Sequence, residues 1–267
     1  MIFPEESLVA RYAFEGRGTF VDVGAHAGTF LAPFAKRGWP VVAFEPHPAL
    51  FARLNDTYGK LPNVQCVQRA ISDTPGRLPF YTSDTHSGIN SLAAFHPTHR
   101  PTVTVVVSTL REELSRLNVG AVTAMKIDVE GADFLALRGF DFGAHRPELV
   151  MVEFMDDRSS KHFGYTHHDM ARYMGSHGYD TWVSEWAPIV GYGREGIPSS
   201  HRWIGFHAYS GAGAPAHGNL VFVSPRDGRR LKVAVRQTVL RTRARGVARS
   251  IPGARSVVRC ARHHLGR

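Results

Sequence analysis

This chain predicts a doubly wound α/β fold around a mostly parallel sheet, and three observations lead there. Residues 20–23 are a short apolar run interrupted by one acid, Asp22; Gly24 and Gly28 follow, and a helix-like pattern runs over residues 29–36. A second apolar run, residues 41–44, ends at Glu45, which lies 23 residues after Asp22 and 17 after Gly28. Beyond it, apolar runs keep alternating with helical patterns. Four of the runs carry an acid at or just past the end, namely Asp22, Glu45, Asp128 and Glu153. In such sheets ligands bind beyond the carboxyl ends of the strands, so acids repeated there point to a site.

In chain order, Gly24 allows a tight turn that a Cβ would obstruct, and Gly28 allows close helix packing. The free N–H groups of the following helix face whatever sits above the strand ends. Residues 47–58 read as a helix with Leu50, Phe51 and Leu54 on one face and prolines in its first turn. Residues 64–67 are a third strand, and Ala70 and Ile71 follow its end. Residues 78–81 and 102–107 are further extended runs, the second alternating Val and Thr as a half-buried strand does. The long connection between them, residues 83–101, is rich in Ser, His, Gly, Thr and Pro and reads as a lid over the site. Thr109 and Glu112 stand in capping-box register before a helix reaching residue 117. The stretch over 124–131, near a strand's end, a helix over 132–137 closed by Gly139, a strand over 149–154 and a helix over 166–177 come next. Three last strands are expected near residues 179–183, 203–206 and 220–223, with a flexible connection over 211–215.

The glycine turn and the acid at Glu45 form the two halves of a nucleoside site, because a carboxylate in that register can accept hydrogen bonds from both ribose hydroxyls. The spacing Gly24-x-His26-x-Gly28 puts a bulky ring where a dinucleotide site wants bare backbone for a pyrophosphate. That leaves room for a ligand without a pyrophosphate, such as S-adenosylmethionine.

The 267 residues are 43% apolar and 21% charged, ordinary for a globular chain long enough for one large domain. Cys66 and Cys260 give neither a disulfide framework nor metal spacing, so a reducing cytoplasm is expected. The first residues do not read as a signal peptide, and no stretch approaches a membrane span of roughly 18 apolar residues. The charge is uneven. Residues 226–267 hold 13 Lys and Arg against one acid, so this tail carries +12 and residues 1–225 are left at −3 of the total +9. A catalytic body over 1–225 and a basic tail over 226–267 are the expected units. In the tail Leu231, Val235 and Val239 recur at helical spacing among Lys232, Arg236, Arg241, Arg243 and Arg245, broken by Gly246 and Pro252. Two readings stay open for it: a helix lying on an anionic membrane, or a solvated basic arm. The tail has no aromatic side chain to stack on bases, which argues against a nucleic-acid partner.

Four segments together, Asp22-Val-Gly-Ala-His-Ala-Gly28, Ala43-Phe-Glu-Pro46, Arg69-Ala-Ile-Ser-Asp73 and Lys126-Ile-Asp-Val-Glu-Gly-Ala132, resemble the FkbM-type S-adenosylmethionine-dependent methyltransferases. The resemblance covers about residues 18–155, with His26 where that family more often has Asn. It implies a class I methyltransferase (Rossmann-like) fold and methyl transfer to a hydroxyl of a sugar or natural product. On the residues and the resemblance together, the expected cofactor contacts are Asp22, Gly24, Ala25, His26, Gly28, Glu45, Ala70, Ile71 and Asp128. The expected catalytic groups are Asp128, Glu130, Glu153 and Lys126, with His86 of the lid as a further base and Asp128 first among them. Lys126 is either the ion-pair partner of Asp128 or a solvated strand residue. A metal-assisted variant would use Asp128, Asp156 and Asp157 as oxygen ligands for Mg²⁺, although the resemblance does not require a metal. His162, His167 and His168 have no persuasive ligand spacing. Two readings from other classes remain: an NAD-dependent oxidoreductase, against which His26 argues, and a nucleic-acid-binding protein or RNA methyltransferase acting through the tail.

Overall fold

A computed structural model describes residues 8–9, 18–188, 203–211, 217–224 and 233–234. Its centre is an eight-stranded sheet. From one edge the order is β3 (Val64–Val67), β2 (Val41–Phe44), β1 (Thr19–Val23), β7 (Val122–Ile127), β8 (Leu149–Met155), β11 (His217–Val223), β9 (Asp180–Trp186) and β10 (Trp203–Ala208). The run from β3 to β8 is parallel throughout. β11 inserts antiparallel between β8 and β9, and β10 pairs antiparallel with β9. This is the doubly wound, mostly parallel sheet expected. The strand order reverses between β1 and β7, the place where such sheets open a crevice.

Alternate residues of each strand feed opposite layers. Val21, Val23, Met125, Ile127, Val150 and Val152 join one core cluster; Phe20, Val41, Ala43, Ala124, Leu149 and Met151 join the other. Because both faces are buried, these strands read as continuous apolar runs rather than alternating ones.

The helices mostly follow the sequence. α2 (Pro48–Tyr58) buries Leu50 and Leu54 and leaves Phe51 half-buried. α3 (Leu110–Arg116) starts on a complete Thr109–Glu112 capping box. α4 (Asp133–Arg138) ends at Gly139, and α6 (His167–Ser176) starts on a Thr166–Asp169 box. The first helix is shorter than expected: α1 spans only Ala32–Ala35, with no side-chain cap, and Gly28 and Gly38 turn the chain at positive φ on either side.

Three features were not anticipated. Ala70–Ile71 (β4), Gly76–Ser83 (β5) and His99–Ser108 (β6) leave the main sheet and form a second, three-stranded one, in the order β4-β6-β5. Asp156 and Asp157, expected just after a strand end, open a helix, α5 (Asp156–Phe163), where first-turn acids suit the dipole. Ala234 is buried in the same cluster as Leu8 and Val9, past the expected boundary at 225/226. The boundary itself, the connection over 212–215 and the rest of the tail lie outside the described residues.

Among the described residues, no helix is long and apolar enough to cross a membrane. Since Ala234 is a core residue, charge substitutions test the tail more cleanly than truncation. On the membrane reading, the chain co-sediments with vesicles of anionic lipid at low salt, while Arg241, Arg243 and Arg245 changed together to Gln leave it in solution. Each removed charge weakens binding by about 1 kcal/mol. A parent chain that stays in solution leaves the solvated-arm reading.

Candidate active site

A cavity of about 390 Å³ lies over the carboxyl ends of β1, β2, β7 and β8, within the usual size range of small-molecule sites. Its floor is the glycine turn. Gly24 has φ +77°, and a Cβ there would sit 1.9 Å from the carbonyl oxygen of Asp128. The amides of Gly24 and Ala25 both donate to the carbonyl of Phe44, at 3.0 and 2.9 Å, which ties the turn to β2. His26 holds a left-handed conformation with φ 50°. Its amide donates to Glu45 Oε2 at 2.9 Å, and the amide of His47 donates to Oε1 at 2.9 Å. Glu45 is 4% exposed, and burial pushes its carboxyl up to about 7, against the pull of those two donors. Ala70, Ile71, Phe80, Leu50 and Pro46 make an apolar slot beside it.

The lid residues form part of this wall. Ser87, Gly88, Asn90 and Leu92 line the cavity, and a short 3-10 turn spans Ser87–Ile89. Ser87 Oγ shares a 2.9 Å hydrogen bond with His26 Nε2, so the histidine in the glycine turn touches the lid. Ser91 Oγ donates to the carbonyl of Glu130 at 2.8 Å. His86 is not on the cavity wall.

Across the cavity stands a group of charges. Lys126 and Asp22 are directly paired residues on neighbouring strands. Lys126 Nζ lies 3.5 Å from Asp22 Oδ1 and 3.3 Å from Asp128 Oδ2, and donates to the carbonyl of Gly24 at 2.9 Å. These acids hold the ammonium charged against the cost of burial and raise its pKa. Lys126 is therefore an ion-pair residue and not a solvated one. Asp22, at 0% exposure, is not on the cavity wall, and burial raises its pKa while Lys126 opposes the rise. Gly28 is also off the wall; a Cβ there would sit 2.4 Å from Tyr58 and 2.9 Å from Leu54. Both residues build the floor from below.

The loop after β7 is over-determined. Asp133 accepts from the amides of Val129 and Gly131 at 2.8 and 2.9 Å, and Tyr165 Oη donates to the carbonyl of Gly131 at 2.6 Å. These contacts keep Glu130 at φ 58°, a strained value for a residue with a Cβ, and Arg158 pairs with its carboxylate. As a result, oxygens of Asp128, Glu130 and Glu153 come within 4.8 Å of one another.

The expected metal set does not assemble. Asp156 accepts from the amide of His167 at 2.8 Å and shares a 2.6 Å hydrogen bond with His167 Nδ1, while Asp157 lies 3.3 Å from His217 Nε2. Neither is on the cavity wall. The positive charge that an ion would bring to Asp128 and Glu130 is already supplied by Lys126 and Arg158. Sequence reasoning missed Arg158, Asp133 and Tyr165, and also Trp186, His217 and Asn219, which close the far end of the cavity.

A profile of the FkbM methyltransferase domain matches residues 22–181. "Methyltransferase 1" of Beauveria bassiana (strain ARSEF 2860) is 30% identical over 165 residues, covering 52% of this chain and 60% of that protein. The chain thus matches less than two thirds of that relative's length. Among solved structures, the O-methyltransferase from Bacillus cereus in complex with SAH aligns at 8% identity and TM-score 0.43, over 84% of this chain and 83% of that one. The precorrin-6y C5,15-methyltransferase from Geobacter metallireducens GS-15 aligns at 12% identity and TM-score 0.41, over 82% and 89%. With the profile covering more than half of the chain, the chain belongs to the FkbM methyltransferase family.

Proposed function

We propose that this chain transfers a methyl group from S-adenosylmethionine to a hydroxyl of a sugar or other natural product. The observation that carries this reading is Glu45. It is a buried carboxylate on the cavity wall with each oxygen held by one backbone amide, leaving further lone pairs for two ribose hydroxyls. The apolar slot around Ala70 and Ile71 suits an adenine ring, and Gly24 and Ala25 bring backbone close to the donor's chain. Asp128, with Lys126 behind it, places a negative charge near where a sulfonium would lie. Methyl transfer then needs alignment of the acceptor oxygen with the methyl carbon and removal of the hydroxyl proton.

Calorimetry with S-adenosylhomocysteine tests this. Binding at micromolar level is expected, and Glu45→Ala weakens it by about 1–3 kcal/mol through lost charged hydrogen bonds. Tight NAD binding without S-adenosylhomocysteine binding sinks the proposal in favour of an oxidoreductase.

A pH dependence follows with a definite sign. In the free chain Glu45 holds its proton up to about 7, above the unfolded value of 4.5. The native state therefore binds the extra proton, and this group's contribution to stability falls as pH rises from the unfolded value through the folded one. Ribose hydroxyls donate to the ionised carboxylate, so binding releases the proton. Affinity for S-adenosylhomocysteine is expected to climb as pH rises through about 7 and then level off. Glu45→Gln should flatten the profile; a profile unchanged in that variant assigns the dependence elsewhere.

A further inference from the structure

The far end of the cavity holds a carboxylate with no assigned partner. Glu153 lies on β8, one rung beyond the Ile127–Val152 pair, so it stands beside Asp128. Among the described residues its Oε2 is buried with no hydrogen-bond partner. Its neighbours are already engaged, Asp128 with Lys126 and Glu130 with Arg158. Asn219, directly opposite Glu153 on β11, and Trp186 on β9 complete this end of the wall. A buried carboxylate oxygen without a donor costs free energy, and a site keeps such a group where a ligand satisfies it.

We propose that Glu153 is the proton acceptor of the methyl transfer and that the hydroxyl it serves belongs to an uncharged acceptor. The proposal rests on the methyltransferase reading above. The acceptor's O–H donates to Glu153 Oε2. As the oxygen's lone pair forms the new O–C bond, the methyl carbon's bond to sulfur breaks and its electron pair stays on sulfur. The O–H pair stays on oxygen, and the proton passes to Glu153. Burial, together with Asp128, Glu130 and Asp133, raises the affinity of this carboxyl for a proton, and Arg158 opposes that only in part. The same crowding selects the acceptor: a phosphate or carboxylate seated here would meet three acidic side chains, and the two cations beside them, Lys126 and Arg158, are already paired with Asp128 and Glu130.

The test uses the whole chain, radiolabelled methyl donor and three matched probes: a neutral methyl hexopyranoside series, the corresponding uronic acids and the corresponding 6-phosphates. Transfer to a neutral member is expected, with kcat/KM at least about 100-fold lower for its acidic counterparts. On the accepted glycoside, Glu153→Gln should lower kcat by roughly 10²- to 10⁴-fold, and Glu153→Asp should restore part of it. S-adenosylhomocysteine affinity should stay unchanged in both, which a merely structural role would not give. Equal transfer to acidic members, or transfer to none of the set, overturns the uncharged acceptor. A Gln variant that turns over like the parent removes Glu153 as the base. A parent chain that does not bind S-adenosylhomocysteine instead defeats the methyltransferase reading beneath it.

Discussion

Lys126→Met is expected to destabilise the chain by about 3–5 kcal/mol at neutral pH, a large share of the roughly 5–15 kcal/mol that holds a domain together. The ammonium is almost wholly buried, and it is the charge that faces Asp22 inside the sheet. Asp22 has no hydrogen bond to either carboxylate oxygen among the described residues, so removing Lys126 leaves an isolated buried anion. Such a group takes up a proton, and its folded pKa, already raised by burial, moves further above the unfolded value. The native state then binds the extra proton, so the destabilisation grows as pH rises above the unfolded Asp value and shrinks in acid. Urea unfolding of Lys126→Met across this range checks the sign. The double variant Asp22→Asn with Lys126→Met should recover most of the loss, because amide and thioether leave no buried charge. If the double variant is as unstable as the single one, the ion pair is not what Lys126 supplies, and its packing under Phe30, 6.0 Å from the ring centroid, is the better account.

This pair also shows where sequence reading stops. Asp22 and Lys126 are 104 positions apart, and only the parallel register of β1 on β7 makes them neighbours. From the sequence, Asp22 looked like a strand-end acid in the same class as Glu45. In the structure two rungs of register separate their fates, because Asp22 lies inside its strand, paired with Ala43, and Glu45 just past the end of its own. The glycine turn and Glu45 were legible because their contacts are made within one βαβ unit, by spacing alone. The loop 128–131 was legible as a site for the same reason, but the groups that shape it arrive from α5 and from Tyr165. Trp186, His217 and Asn219 were not legible at all. They reach the cavity only because β11 slots between β8 and β9, a pairing with no local sequence signal. The second sheet was hidden similarly: Val and Thr alternation marks β6 as a strand, yet says nothing about which sheet it joins. The place of the Asp156–Asp157 pair was readable. Two acids followed by a basic residue in the last turn are a helix beginning, and their position after a strand drew attention to metal chemistry instead.

Gly24→Ala should cost about 3–5 kcal/mol and abolish S-adenosylhomocysteine binding, while Gly38→Ala, at nearly the same dihedral, should cost only about 1–2 kcal/mol and leave binding intact. Gly24 and Gly38 have φ of +77° and +74°, so the strain of a Cβ in the left-handed region is common to both. Their surroundings differ. Nothing lies within 4 Å of the Cβ position at Gly38, whereas at Gly24 the backbone oxygen of Asp128 would be 1.9 Å away. Neither side of that crossing is free to yield. The turn is fixed by the amides of Gly24 and Ala25 on Phe44, and Asp128 by its own amide on the carbonyl of Val23 at 3.1 Å. Relief would have to move Asp128 off Lys126 or the turn off β2, and either movement displaces the cavity floor under the ligand. Paired measurement of unfolding free energy and S-adenosylhomocysteine affinity in the two variants separates the shared dihedral cost from the clash. Equal losses at the two positions would mean that the close approach of β1 and β7 has slack, and that the glycine is there for its dihedral alone.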